Sequence, residues 1–337
     1  MNTVLPFETE YSFLVKQHAA AYKKSVLHIG QNGFCENRRT GHHVEHPYIL
    51  PLDKAEMNLL PGVSMPSELS GDSDKLNSYY NFLNSSQMMC VNFFQLMTSD
   101  RIRQMILIRE LELAVPRLKY VNRKLGRSTI KTHLFEYVPV PQENTHFDYF
   151  IELENGVHIY FEIKYSESCF GGPTKLSSEP EKYEKKWNDF YAPALKDWNY
   201  IPENRKSRRV LTKEDIFAHY QLWRNISFLK TGTDFFICLY PEKNTCIGTE
   251  FTDTLKRSSF CRRKSSEQFA LSKSNIRGIT WDDFTENCWI RALIKSSANE
   301  LHSPFVCADF RLLADSLLQF QEKYLELENH DSTVCIK

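Results

Sequence analysis

Neither sign of charge prevails in this chain: 42 lysines and arginines offset 42 aspartates and glutamates, so no global basic charge advertises nucleic-acid binding. No apolar run approaches the length of a membrane span. The opening MNTVLPFETEYSF also lacks the basic and apolar regions of a signal peptide. Nine cysteines, an odd count with no CxxC pair, argue against a disulfide framework and for reduced thiols in a cytoplasmic protein. There is no GxxxxGK[ST] phosphate loop, so no ATP-driven helicase or translocase activity and no nucleotide cofactor are expected. GxGxxG and the GxSxG nucleophile elbow are missing too, and no internal repeat or low-complexity tract is visible. What remains is 337 residues, 42% of them hydrophobic, enough for one large domain or two modest ones.

Against that plain background one segment stands out. Residues His146 to Leu153 and Val157 to Tyr165 both alternate apolar and polar, as half-buried strands do, and Glu154-Asn155-Gly156 joins them. A three-residue loop with glycine at the left-handed position suits a type I turn closed by a bulge. It pairs Leu153 with Val157, Ile151 with Ile159, Tyr149 with Phe161 and Phe147 with Ile163, making one face continuously apolar. On the other face Asp148 stands opposite Glu162, and His146 opposite Lys164, with opposed Cβ atoms roughly 5 Å apart. A two-residue loop would shift the register by one and put Asp148 among apolar partners.

Opposed carboxylates repel, so the pair makes sense around a divalent cation. Asp148, Glu162 and the backbone carbonyl of Ile163 form an oxygen set suited to Mg²⁺, with Mn²⁺ expected to substitute. Lys164 projects from the same face, where it can orient a metal-bound water and neutralise charge growing on a phosphate. The plainer alternative is a cross-strand surface salt bridge. About one Glu-x-Lys triplet is expected by chance in a chain this long, and Glu184-Lys185-Lys186 is such a decoy, in a charged stretch without strand pattern.

The neighbouring elements extend the argument. Residues 99 to 115 read as a helix capped by Ser99 or Asp100, and 132 to 140 as a strand. Thr212 starts a helix with a capping-box-like Asp215, running to about Leu229. The turn Thr231-Gly232-Thr233 then leads into a buried strand, Asp234 to Tyr240. The order is α, β, β, β, α, β.

That order, with Asp148 on the second strand and Glu162-Ile163-Lys164 on the third, resembles the core of the PD-(D/E)xK nuclease superfamily. Other segments resemble a family of largely uncharacterised prokaryotic restriction-endonuclease-like proteins. They are His46 to Pro51, Lys75 to Tyr79, Leu83 to Gln87, Asn92-Phe93-Phe94, Phe135-Glu136, Phe147-Asp148 and Phe161 to Glu167. The likeness spans roughly residues 40 to 240, and Phe147 replaces the proline of the motif's name.

The resemblance implies a mixed α/β, restriction-endonuclease-like core with a mixed central sheet. It also implies metal-dependent cleavage of DNA, most simply duplex DNA, with a restriction or defence role. The alternatives are a catalytically silent nucleic-acid-binding protein of the same fold and a repair or recombination nuclease. Glu136 is a candidate third carboxylate, or an outward residue of an edge strand. Gln221 and Arg224 share a helix face, and related enzymes often place a glutamine there near the site. Glu167 ends the third strand.

The organisation expected is an N-terminal, loop-rich extension (1–74), a nuclease-like core (75–245) with an insertion at 166–211, and a mainly helical C-terminal extension (246–337). Within the insertion, KYEKKWNDFYAPALKDW reads as a short helix touching substrate or as a lid packed on its own aromatics. Asp309 is the expected cap of a last helix, whose apolar face packs on the core or forms a homodimer contact. Basic residues cluster at Arg117 to Lys131, Arg205 to Lys213 and Lys256 to Lys264. Two such clusters at the rim of the acidic site would grip a phosphate backbone; otherwise they are solvated loops.

Overall fold

The structure, a computed structural model, describes residues 9–36, 41–70, 80–143, 145–173, 177–201, 207–260, 269–299 and 304–327. The chain divides into two compact units: one of residues 1–66, 70–96 and 285–337, the other of 67–69 and 97–284. Lys75 to Tyr79, part of the run that carried the family likeness, lie outside the described residues.

The first unit opens with helix α1 (Glu10–Ser25), capped by the Thr9 side chain, which accepts from the Ser12 N–H at 3.1 Å. Tyr11, Val15, Ala19 and Tyr22 recur every three or four residues and are buried. The extension expected to be loop-rich therefore opens with a 16-residue helix, whose apolar stripe is its sequence signal. A hairpin follows, β1 (Gly33–Glu36) and β2 (His43–His46), and then α2 (Ser86–Thr98), at whose end the division falls.

The second unit holds the expected α, β, β, β, α, β elements, while residues 80–96 of the stretch expected as core fall in the first. Asp100 caps α3 (Arg101–Ala114), accepting from the Ile102 and Arg103 amides at 2.8 and 2.9 Å. Then come α4 (Pro116–Lys124), β3 (Ile130–Tyr137), β4 (Phe147–Leu153) and β5 (His158–Ile163). The insertion forms α5 (Pro180–Lys186), a π-helical turn (Trp187–Tyr191), α6 (Ala192–Leu195), β6 (Trp198–Tyr200) and β7 (Arg209–Val210). Its aromatics pack inward: Tyr183 and Tyr191 are buried, each ring 5.9 Å from that of Tyr220.

The next helix begins at Thr212 with the expected capping box, but it is broken into α7 (Lys213–Ala218) and α8 (Tyr220–Ile226). The break has a local cause. The Tyr220 and Gln221 amides donate to the carbonyls of Gly171 and Phe170, at 3.1 and 3.3 Å, instead of to the preceding turn. Gly171 takes φ +62°, a left-handed conformation that glycine adopts readily.

β8 (Asp234–Tyr240), α9 (Thr245–Arg257), β9 (Ser258–Phe260) and β10 (Ile276–Thr280) complete this unit. The central sheet runs β10-β8-β5-β4-β3; the β3–β4–β5 neighbours are antiparallel, and β8 is parallel to both β5 and β10. This is the expected mixed sheet with α, β, β, β, α, β order, extended by a fifth strand from beyond residue 245. The β-branched content of Ile276-Arg277-Gly278-Ile279-Thr280 suits a strand, but the run is short and broken by glycine. A smaller sheet, β7-β6-β9, ties the insertion to the end of α9. Trp198, Trp223, Ile226 and Phe236 belong to the apolar cluster on the α8 side of the central sheet.

The chain returns to the first unit through α10 (Trp281–Asn299) and α11 (Pro304–Tyr324). Asp309 lies exposed inside α11 and does not cap it, because the helix starts at Pro304, whose missing N–H is not needed in a first turn. In this unit Lys323 is buried, with its ammonium donating to the Asn58 carbonyl and to Asn58 Oδ1, the latter at 2.9 Å. Among the described residues no helix is long and apolar enough to cross a membrane.

Candidate active site

The hairpin register follows from the loop. Tyr149 pairs with Phe161, Phe150 with Tyr160, Ile151 with Ile159 and Glu152 with His158. The Leu153 amide donates to the Val157 carbonyl at 2.8 Å and the Gly156 amide to Leu153 at 2.9 Å, with Gly156 at φ +79°. Continued by one residue, this register sets Asp148 across from Glu162.

Backbone pairing stops short of them, however. Asp148 Oδ2 accepts from the Ile163 amide at 2.6 Å, so a side chain takes the place of a ladder carbonyl. The departure begins on β3, where Glu136 has φ +48°, rare for a residue with a side chain. Beyond that kink the alternation changes face. Tyr137 stacks on Phe150 with ring centres 4.2 Å apart, and Phe147 lies 4.9 Å from Tyr160 and 6.4 Å from Phe236. The expected contact of Phe147 with Ile163, on the face of Tyr149, is thereby replaced. His146 precedes β4 and turns to Glu136, Nδ1 to Oε2 3.5 Å, instead of facing Lys164.

The triplet on β5 is held from three directions. Glu162 and Lys164 are both buried, and Lys164 Nζ lies 2.8 Å from Glu162 Oε1. Lys164 also donates to Gln221 Oε1 at 2.7 Å, and the second oxygen of Glu162 accepts from Asn225 Nδ2 at 2.7 Å. The Lys164 amide bonds the Leu239 carbonyl at 2.9 Å, fixing the end of β5 against β8. Gln221 and Asn225 are one turn apart on α8, so a single helix face clamps both ends of the Glu162–Lys164 pair.

Electrostatics divide the three residues into two kinds. Burial, then the charges of Glu162 and Glu136, raise the Asp148 carboxyl well above the usual carboxylate range, against the pull of Lys164 and the Ile163 amide. Burial alone would lower Lys164, but Glu162, Glu167 and Asp148 outweigh it and raise its pKa, so it stays an ammonium at neutral pH. An excess of carboxylate over ammonium is thus concentrated at the ends of β4 and β5.

The other candidates fall into place unequally. Glu136, on edge strand β3, is near enough for its charge to act on Asp148. Glu167 Oε2 accepts from the Tyr165 amide at 2.6 Å, closing the turn after β5, and its charge reaches Lys164. Arg224 touches no acid of the set: its guanidinium lies 5.6 Å from the centre of the Tyr220 ring, and its Nε donates to Asn225 Oδ1 at 3.4 Å, behind the amide that holds Glu162. Asn225 is the participant that sequence reading missed; its signal was the four-residue step from Gln221 along one helix face.

The donor set fits a hard divalent cation: two carboxylates brought together beside the Ile163 backbone, one of them with a pKa raised by burial and then by its like-charged neighbours. Among the described residues no three His, Cys, Asp or Glu side chains converge into a ready-made cage.

Several of the basic residues are consumed by ion pairs: Lys131 with Glu152, Arg209 with Asp215 and Lys213 with Glu184. Arg205, Lys206, Arg262, Arg263 and Lys264 lie outside the described residues.

A family model described as "Restriction Endonuclease associating with ARP" matches residues 16–302, extending past both ends of the stretch in which the likeness was first seen. No curated protein and no solved structure matches the chain. The match covers most of the sequence and agrees with the mixed five-stranded sheet carrying an acid pair and a lysine: the chain belongs to the restriction-endonuclease-like family of restriction endonucleases associating with ARP.

Proposed function

We propose that this protein is a divalent-cation-dependent endodeoxyribonuclease of PD-(D/E)xK type, acting on duplex DNA in restriction or a related defence. The observation that supports it best is the meeting of Asp148, Glu162 and Lys164, with Lys164 Nζ 2.8 Å from Glu162 and the charges of both carboxylates acting on that ammonium. A binding surface has no use for a buried pair of like-charged acids, which costs stability unless a cation or a proton joins it.

In this reading Asp148, Glu162 and the Ile163 carbonyl hold Mg²⁺. When bound, such an ion would supply Lewis acidity, to acidify a water nucleophile and to neutralise charge on the leaving oxygen. Lys164, kept as an ammonium, is unfit to accept a proton and instead offers positive charge and N–H donors to the phosphate oxygens. Gln221 aims that ammonium, and Asn225 fixes the rotamer of the Glu162 carboxylate. Glu136 adds to the negative field.

The test compares plasmid cleavage by wild type, Glu162→Ala and Lys164→Ala, each with Mg²⁺ and with EDTA. Cleavage by wild type in Mg²⁺ alone, lost in both variants, is expected. Unchanged cleavage in either variant rejects its assigned role. Titration calorimetry with Mg²⁺ or Mn²⁺ should show uptake that Asp148→Asn abolishes; a catalytically silent binding protein would show none.

A further inference from the structure

The fold gathers one member of each basic cluster in a place the acid site does not use. A groove of about 580 Å³ follows the free edge of β10, between α9 and the start of α4. Arg117, Lys256, Lys273 and Arg277 line it, and no carboxylate is among its described lining residues. Arg117 comes from the first cluster and Lys256 from the third. Arg208, of the second, is close enough for its charge to act on Lys273.

These cations are poorly neutralised by the protein. Arg277 is exposed and has no ion pair among the described residues. Among the described residues Lys273 donates only to the Ser258 carbonyl, at 3.4 Å. Arg117 donates to the Ala270 carbonyl at 3.3 Å and lies over the rings of Tyr120 and Phe269, with no ion pair among the described residues. Lys256 approaches Asp253 at 3.6 Å, but both are exposed, and such a pair is worth little. In a chain with equal numbers of acids and bases, this local excess is a consequence of the fold. Gathered like charges without counter-charges favour a polyanion.

The sheet register relates the groove to the acids. Gly278 of β10 pairs with Cys238 of β8, and Cys238 pairs with Glu162 of β5. Adjacent strands lie about 4.8 Å apart, so the groove floor is about 10 Å from Glu162. That is about three nucleotide steps of duplex rise along one strand. Tyr240, which ends β8, lines the groove, while its neighbour Leu239 bonds the Lys164 amide.

We propose that the β10 groove binds the phosphodiester backbone of the DNA strand flanking the bond held at Asp148 and Glu162. The identity of the ligand rests on the nuclease reading above, but its measurement needs no cleavage. Binding of a short labelled DNA duplex is followed in EDTA over a range of salt concentrations. The proteins are wild type, Arg277→Ala, Lys273→Ala/Arg277→Ala, and Arg277→Glu, a change at an exposed position that leaves the core alone; circular dichroism confirms that each is folded.

Each lost phosphate contact should lower the slope of log K against log [salt] by about 0.9, hence by about 2 in the double variant, equally for unrelated sequences. Glu162→Gln should keep the wild-type slope while losing cleavage. A double variant, or Arg277→Glu, that binds with wild-type affinity and slope overturns the groove and leaves the nuclease reading standing. Groove-dependent binding by a wild type that never cleaves supports the groove and sinks the nuclease reading. Wild type that ignores duplex DNA but binds inorganic triphosphate, in an Arg277-dependent way, overturns the proposal in favour of a small polyanion.

Discussion

Asn225 donates a 2.7 Å hydrogen bond to the Glu162 carboxylate from one turn beyond Gln221, whose side-chain oxygen accepts from Lys164 at the same distance. Two amides on one short helix therefore set the positions of the acid and the ammonium to which the proposed chemistry assigns its roles. Partners of this kind, when removed, commonly cost about 10–100-fold in metal affinity or activity.

Asn225→Ala should lower plasmid cleavage by about that factor, because Glu162 loses its buried donor and gains rotamer freedom. Gln221→Ala should cost less, since Lys164 keeps Glu162 as a partner. Cleavage rates at saturating Mg²⁺, with circular dichroism as a control for folding, check both. A full rate in Asn225→Ala would show that Glu162 needs no such support.

If Asp148 and Glu162 hold a divalent cation as proposed, removing it should reveal the repulsion between them. Burial, Glu162 and Glu136 all raise the Asp148 pKa in the folded protein, so without a cation this carboxyl opposes folding at any pH above its unfolded pKa. Asp148→Asn keeps an oxygen for the Ile163 amide and removes the charge. In EDTA the variant should melt higher than wild type, by about 2–4 °C if the relief is about 1 kcal/mol. Mg²⁺ should raise the melting temperature of wild type and leave the variant unmoved. A variant that is less stable in EDTA and still responds to Mg²⁺ contradicts this account.

Lys323 makes the first unit sensitive to pH. Burial pushes its pKa down to about 7, from an ordinary value near 10.5. Between those values the unfolded chain binds more protons than the folded one, so stability rises with pH across that window. The gain is at most about 1.4 kcal/mol per pH unit. Urea denaturation at pH 7 and pH 9 should show wild type more stable at the higher pH, with the difference largely gone in Lys323→Met. A flat or falling wild-type profile rejects the assignment.

The hairpin was legible because its information is local. Strict alternation, a three-residue loop and Gly156 leave one register that buries every apolar residue, and that register sets Asp148 opposite Glu162. Two caps were local in the same way: Asp100, one of two candidates, and the Thr212–Asp215 box lie within a few residues of the amides they satisfy, whereas the expected cap Asp309 lies inside its helix. Even so, alternation carried no hint of the kink at Glu136. A left-handed φ at a glutamate is imposed by surrounding packing, and it moved Phe147 to the other side of the sheet.

By itself, then, the sequence determined the mixed α/β class, the acid–acid–lysine set and its strand positions, since each depends on side-chain periodicity and neighbours close along the chain. Only the tertiary structure decided that α8 is a separate helix starting at Tyr220, that Asn225 belongs beside Glu162, and that a fifth strand supplies the edge where distant arginines and lysines assemble. Those outcomes depend on contacts between residues tens to more than a hundred positions apart, such as Gly171 with Tyr220 and Arg117 with Ala270, which no local pattern encodes.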